Sequence, residues 1–293
     1  MVGDTGWKRN GWIALFILPS MAGMLLFVIG PIIASAVLTF FEWDLLTDPE
    51  FIGLGNFRRL IHDQVIWDAL RHTLAFIIGY VPSVMVLGLL LALILNARLK
   101  GLAIFRTAFF LPVVSSWVAV ALLWKWLFNP RYGLINYGLE QIGITGPKWL
   151  FDSTWAMPAI VITSVWKDLG FVAVLFLAGL QAIPADVYEA SSLDGAGKLE
   201  QLRSITVPLL KPTIFFISII SIINSFQVFP QVWIMTEGGP AGSTNTVPVY
   251  IYVSAFKSLD KGYASAVAVL LLVLLIAYAV ALIAIRRLLV RHV

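Results

Sequence analysis

The sequence predicts an all-α polytopic membrane protein with six transmembrane helices and both termini in the cytoplasm. Of its 293 residues, 60% are hydrophobic and only 12% are charged, about half the charged share of soluble domains. The mean hydropathy is +0.91. The charged residues leave long gaps in which apolar residues do not alternate with period two. This excludes a β-barrel and leaves helices as the spanning element.

Six segments are long enough to cross a bilayer, for which a helix needs roughly 20 apolar residues. Only Lys167 and Asp168 interrupt the fourth segment. With the N-terminus inside, the cytoplasmic segments carry more Lys and Arg than the outer ones, and Arg286 and Arg287 end the sixth span. We treat 1–293 as a single transmembrane domain. The predicted spans are residues 13–38, 72–95, 107–128, 156–180, 212–233 and 264–285.

The first span has a second interpretation as a cleaved signal peptide. Lys8 and Arg9 precede it, and Ala34-Ser35-Ala36 could form a cleavage site. The apolar run is longer than the apolar region of a usual signal peptide. We therefore interpret it as a retained helix.

Composition also limits the chemistry. The chain has no cysteine, which excludes thiolate metal sites and cysteine nucleophiles. The three histidines are scattered, and neither a Gly-x-Ser-x-Gly nor a Gly-x-x-x-x-Gly-Lys-Ser/Thr motif is present. The net charge is only +4. We expect no enzyme activity, no metal or cofactor in this chain, and no nucleic-acid partner.

The longest predicted cytoplasmic segment, residues 181–211, joins the fourth and fifth spans. Pro184 suits the first turn of a short helix, and Gly195 and Gly197 can supply a left-handed exit from it. A second short helix is predicted over residues 198–205. Two short helices around a glycine corner form a compact knob. These residues alone leave open whether the knob is a docking element or a structured linker.

Three runs in this segment carry a resemblance to a known family. Glu189-Ala190-Ser191, Asp194-Gly195-Ala196-Gly197 and Ile205-Thr206-Val207-Pro208-Leu209 resemble the EAA loop of permease subunits of binding-protein-dependent ABC importers. Ser191 and Val207 depart conservatively from the family pattern. The remainder resembles the carbohydrate branch, the maltose/glycerol-phosphate-type (MetI-like) permeases. The supporting runs are residues 53–57, 111–112, 177–184, 236–244 and 262–266.

The resemblance implies partners and a mechanism. Such permeases pair with a second homologous permease subunit and dock on a dimer of cytoplasmic ATPase subunits, which bind ATP and Mg. An extracytoplasmic solute-binding protein delivers the sugar at the inner or plasma membrane. The chain itself would have no ATPase site. The expected ATPase-coupling residues are Tyr188, Glu189, Ala190, Asp194, Gly195, Ala196, Gly197 and Pro208.

Ionisable groups inside a membrane are costly and mark functional sites. Lys167 and Asp168 point about 100° apart on a helix, so at least one should face a cavity or the partner permease. The alternative is an intersubunit salt bridge. Sugars stack on aromatic rings and bind polar side chains. In the family that this chain resembles, sugar contacts come from the matching three helices, and the resemblance adds Phe171. The expected substrate-path residues are Trp117, Trp166, Lys167, Asp168, Phe171, Asn224, Ser225 and Gln227.

Packing offers other interpretations of these residues. Trp117 could pack against lipid or another helix, and Asn224 and Gln227 could form interhelical hydrogen bonds. The predicted function is the transmembrane subunit of an ATP-driven ABC importer of a sugar or sugar derivative. A phosphorylated substrate would favour Lys167 as its partner, but one lysine does not decide this.

Two other functional classes compete with the importer. An ion-coupled secondary transporter would use Lys167 and Asp168 as a relay, although it would not need the cytoplasmic knob. A membrane scaffold without transport activity would not need ionisable residues inside the membrane.

Overall fold

The computed structural model describes residues 6–44, 46–97 and 101–290. The chain divides into two compact units. The smaller unit contains the residues up to Asp63 together with Ile251–Leu274. The larger unit contains Gln64–Tyr250 and the residues from Leu275 onward.

The smaller unit combines an apolar N-terminal helix with a short hairpin. Buried Asn56, in the helix that follows the hairpin, donates hydrogen bonds to the carbonyls of Thr39 and Phe41, at 3.0 and 2.9 Å, and so ties that helix to the first strand and the residues just before it. The elements in the N-terminal part of the smaller unit are α1 (Trp7–Met24), a π-helical turn (Leu25–Ile29), α2 (Gly30–Leu38), antiparallel strands β1 (Phe41–Glu42) and β2 (Glu50–Phe51), and α3 (Gly55–His62).

The larger unit holds most of the remaining helices. In chain order they are α4 (Gln64–Leu95), α5 (Leu102–Val114), α6 (Trp117–Leu127), α7 (Leu134–Gln141), a 3-10 turn (Trp149–Phe151), α8 (Ala156–Gln181), α9 (Ala185–Leu193), α10 (Lys198–Gln201), a π-helical turn (Leu202–Thr206), α11 (Val207–Leu209), α12 (Lys211–Phe226) and α13 (Pro230–Thr236). Three elements then follow at or across the boundary with the smaller unit: α14 (Val247–Tyr252), a π-helical turn (Val253–Lys257) that belongs to the smaller unit, and α15 (Lys261–Val290), which belongs to it up to Leu274.

Helix α8 is the central helix of the larger unit. It packs against α4, α5, α12 and α13, and more than half of its residues are buried. Close approach depends on glycine. A Cβ at Gly170 would overlap the carbonyl oxygen of Phe109 on α5, and one at Gly88 on α4 would press into the Val172 side chain. The backbone of α8 is therefore fixed against both neighbours.

In the described part of the chain, four helices are individually long and apolar enough to cross a membrane. Six crossings result if two bent pairs each count as one: Ile104–Val114 with Trp117–Leu127, and Lys198–Leu209 with Lys211–Phe226. The four single helices lie at the predicted first, second, fourth and sixth spans. The predictions of a continuous third and a continuous fifth helix are wrong.

The third predicted span, 107–128, breaks at Ser115 and Ser116. Helices Ile104–Val114 and Trp117–Leu127 meet there at 100°. Both serines have extended backbones, and the Ser116 hydroxyl accepts a hydrogen bond from the Val118 N–H at 3.2 Å. A serine that caps a new helix competes with continuation of the old one.

The fifth predicted span, 212–233, also breaks. Helix α12 ends at Phe226, and α13 begins at Pro230. Proline lacks an N–H donor and disfavours a helical backbone in the residue before it. Phe229 is accordingly outside the helical region, with φ −133°. Residues 227–229 form the irregular connection.

Candidate functional site

The break between α5 and α6 is held by Lys167 on α8. Its Nζ atom donates hydrogen bonds to the carbonyls of Pro112 and Val113, at 3.2 and 3.1 Å. These carbonyls lie at the end of α5, where the last C=O groups have no partner within the helix and carry partial negative charge. Nζ also lies 4.9 Å from the centre of the Trp117 ring, within cation–π range. Lys167 is only 5% exposed, so its charge is used within the chain.

Asp168 turns to a different side of α8. Its Oδ2 atom accepts a hydrogen bond from the hydroxyl of Tyr80 on α4 at 2.8 Å. Among the described residues, no cation forms a salt bridge with this carboxylate. The two adjacent ionisable residues are therefore separated by the helix geometry: Lys167 binds backbone carbonyls, and Asp168 faces a cavity.

The cavity has a volume of about 350 Å³. It is built where the two helix breaks meet α4 and α8, and this follows the rule that irregular backbone at membrane depth lines cavities. Phe76 and Tyr80 stack in its wall with ring centres 5.3 Å apart. The lining residues are Phe76, Tyr80, Trp117, Ser164, Asp168, Asn224, Ser225, Gln227, Val228, Pro230 and Gln231.

Five of the predicted substrate-path residues line this cavity: Trp117, Asp168, Asn224, Ser225 and Gln227. Trp117 was expected near the middle of a helix, but it is the first residue of α6 because the span is broken. The buried Ser225 hydroxyl donates to the Ser221 carbonyl of its own helix at 2.6 Å.

The other three predicted residues are not in the lining. Lys167 is directed at the end of α5. Trp166 makes an edge-to-face contact with Trp124, with ring centres 5.5 Å apart. Phe171 is exposed on the surface of the larger unit.

Sequence reasoning missed Phe76, Tyr80, Ser164 and Gln231. The Gln231 side chain is 6% exposed, and its Oε1 atom has no hydrogen-bond partner among the described residues. Tyr80 and Gln231 each placed a polar group inside a predicted apolar span. That signal could have identified both as candidates, since polar groups inside a membrane mark functional sites.

The predicted coupling residues lie in α9, in the turn after it and, for Pro208, in α11. Glu189, Ala190, Asp194, Gly195 and Gly197 are exposed, whereas Tyr188, Ala196 and Pro208 are half-buried.

The two glycines of this corner have different conformations. Gly195 has φ +86°, as expected for a left-handed exit. The same expectation is wrong for Gly197, whose extended backbone (φ −73°, ψ 165°) places it at the start of α10.

Side-chain hydrogen bonds brace this knob. The Tyr188 hydroxyl and the Thr206 Oγ1 atom are 3.0 Å apart. The Gln201 amide donates to the hydroxyl oxygens of Ser191 and Ser192, each at 2.9 Å. The second short helix is α10 followed by a π-helical turn, rather than one helix over 198–205. The two halves of the knob are therefore bonded to each other.

A family model described as "Binding-protein-dependent transport system inner membrane component" matches residues 67–292. The chain belongs to this family. The lactose transport system permease protein LacF of Rhizobium radiobacter is 38% identical over 92% of this chain and 90% of that protein. The trehalose/maltose permease MalF of Thermococcus litoralis is 36% identical over 91% and 90%.

The fold agrees with this membership. A crystal structure of a bacterial ABC transporter that imports the acidic polysaccharide alginate contains a chain with a TM-score of 0.84, at 24% identity and 96% coverage of both chains. At this identity the likeness concerns the fold. The predictions of a multi-pass membrane protein and of a binding-protein-dependent permease are thus confirmed. The secondary-transporter alternative gains no support.

Proposed function

We propose that this chain is the transmembrane subunit of an ATP-driven importer that moves a sugar or sugar derivative received from an extracytoplasmic binding protein. The cavity between α4, α6, α8 and α12 is the observation that carries the proposal. Permeases named for lactose and for trehalose/maltose are among the relatives. The same class of substrate accounts for the chemistry of the cavity.

Aromatic rings and amides are combined in this cavity in the way that carbohydrate sites require. Phe76, Tyr80 and Trp117 offer apolar faces, and Asn224 and Gln227 offer donors and acceptors. Few, well-placed polar groups in a mostly apolar pocket fix the orientation of a small ligand. The volume of about 350 Å³ lies near the lower end of ligand pockets. A second permease subunit would complete the path.

The proposed topology has six crossings, with α5 and α6 counted as the third and α12 and α13 as the fifth, and both termini in the cytoplasm. The distribution of Lys and Arg supports this orientation. It places residues 181–211 on the cytoplasmic side of the inner or plasma membrane. The apolar residues of Gly11–Leu38 are not buried within the chain, so this helix is available to lipid or to the second permease subunit.

Helix α9 would couple this subunit to the ATPase dimer that holds ATP and Mg. Exposed Glu189 in the helix and Asp194 just after it supply polar contacts, and Ala190 and Gly195 leave room for another backbone. Leu193 at its end is 89% exposed. A mechanical link requires a rigid element that moves between two positions. The hydrogen bonds that brace the knob would make α9 move together with α10 and the π-helical turn after it.

The test is binding-protein-dependent ATP hydrolysis. The tagged chain is purified in mild detergent with its co-expressed partners and reconstituted into proteoliposomes. Binding protein loaded with its sugar should stimulate ATP hydrolysis and uptake of labelled sugar, and sugar-free binding protein should do so much less. A chain that purifies alone and shows no stimulation with any sugar would overturn the proposal.

A further inference from the structure

We propose that the cavity selects neutral, hydroxyl-rich sugars against sugar acids and sugar phosphates, and that Asp168 is the residue that makes this selection. The inference rests on the proposed function, and it goes further by naming the charge class of the substrate. Two independent observations carry it: the balance of charge in the cavity and the balance of hydrogen-bond donors and acceptors.

The side chains that line the cavity carry a net negative charge. Asp168 is the one ionisable acid or base among the lining residues other than tyrosine. The nearest candidate for a compensating cation, Lys167, is directed away from the cavity, with its ammonium bonded to the Pro112 and Val113 carbonyls. Trp117 lies against that ammonium. An anionic ligand would therefore meet a carboxylate without a cation to pair with.

Hydrogen bonding leads to the same class of ligand. The Tyr80 and Ser225 hydroxyls already donate their protons, to Asp168 and to the Ser221 carbonyl. Gln231 Oε1 is buried without a donor among the described residues. The cavity therefore offers acceptors at Asp168 and Gln231 that need donors from the ligand, beside the Asn224 and Gln227 amides, which can both donate and accept. A sugar hydroxyl can donate, whereas a carboxylate only accepts.

Such selection cannot be inferred from the fold. A chain with a closely similar fold belongs to a transporter of an acidic polysaccharide, so permeases of one fold can differ in the charge of their substrates. The preference must lie in side chains such as Asp168. A second negative charge about 6 Å from a carboxylate, at an effective dielectric constant of about 20, weakens binding by roughly a hundredfold. Screening by water lowers this effect, and we expect a preference of at least about tenfold.

The experiment uses a matched pair of probes, methyl α-D-glucoside and methyl α-D-glucuronide, which differ by replacement of CH₂OH with a carboxylate. Each is titrated into the purified complex without binding protein, and saturation-transfer NMR gives the two dissociation constants. The wild-type complex should bind the glucoside at least about tenfold more tightly. Asp168→Asn should bring the ratio close to one, and Asp168→Glu should preserve it.

Two further variants separate selection from general damage. Asp68→Asn makes the same substitution on α4 at an exposed residue outside the cavity, and it should leave the ratio unchanged. Gln231→Leu removes an acceptor without changing the charge, so it should weaken glucoside binding several-fold.

Equal binding of both probes by the wild type, or an unchanged ratio in Asp168→Asn, would overturn the inference. If sugar-loaded binding protein still stimulates ATP hydrolysis by the wild-type complex, the proposed function stands and only the selection by Asp168 fails. If stimulation is absent as well, both fail together.

Discussion

Replacement of Lys167 by methionine should destabilise the larger unit at the break between α5 and α6. Methionine keeps the length and apolar stem of lysine but removes the ammonium. The Val113 carbonyl at the end of α5 then loses the lysine as its donor, and the Pro112 carbonyl keeps only the Ser115 N–H, at 3.2 Å. Buried acceptors without a partner are costly, and the cost grows where water cannot reach them.

The expected loss of stability follows from two charge-assisted hydrogen bonds. Each contributes about 1.5 kcal/mol at the lower end of the range for bonds to charged groups. The lower end is appropriate because hydrogen bonds within membranes are generally modest. The sum is about 3 kcal/mol, which lowers the melting temperature by roughly 6–12 °C at about 2–4 °C per kcal/mol.

Thermal unfolding of the purified complex in detergent, followed by tryptophan fluorescence, measures this loss. Lys125→Met is the matched control, since Lys125 donates a single exposed hydrogen bond to the Ile234 carbonyl at 3.2 Å. We expect a shift of less than about 3 °C for the control, and partial recovery with Lys167→Arg. Equal shifts for Lys167→Met and Lys125→Met would refute the assignment of Lys167 to the helix break.

Two further predictions concern packing and the substrate path. Gly170→Ala should prevent close packing of α8 on α5, because the added Cβ overlaps the Phe109 carbonyl oxygen, and the yield of folded complex in size-exclusion chromatography should fall severalfold. Gly138→Ala adds a Cβ where nothing lies within 4 Å and should leave the yield unchanged. Trp117→Ala should reduce sugar uptake at least about tenfold, because a stacking surface of the cavity is lost. Trp166 lies outside the cavity lining, so Trp166→Ala should reduce uptake far less. Equal losses in the two variants would contradict the placement of the cavity.

The positions of the apolar spans could be predicted from sequence because charge placement alone defines them. Helix α4 extends around one long uncharged segment, and α8 lies in an apolar segment that only Lys167 and Asp168 interrupt. The two breaks could not be placed in this way. At Ser115 and Ser116 the hydropathy stays high, and the turn depends on a serine cap and on Lys167 from another helix. Pro230 was a local signal that hydropathy did not record.

The site could be predicted only in part for a related reason. Helix periodicity indicated that Lys167 and Asp168 point in different directions, but it could not tell which of them faces the cavity. The bond between Tyr80 and Asp168 joins residues 88 positions apart in the chain. Such a contact depends on the packing of α4 against α8, which no local pattern contains.

Coupling through α9 is the central claim, and sugar-stimulated ATP hydrolysis by the reconstituted complex tests it most directly. Glu189→Lys reverses a charge on the exposed face of α9, and Glu140→Lys makes the same change on the exposed face of α7. With sugar-loaded binding protein present, we predict that Glu189→Lys loses most of the stimulation while Glu140→Lys retains it, at equal amounts of folded permease. Full stimulation in Glu189→Lys would contradict the assignment of α9 as the coupling element.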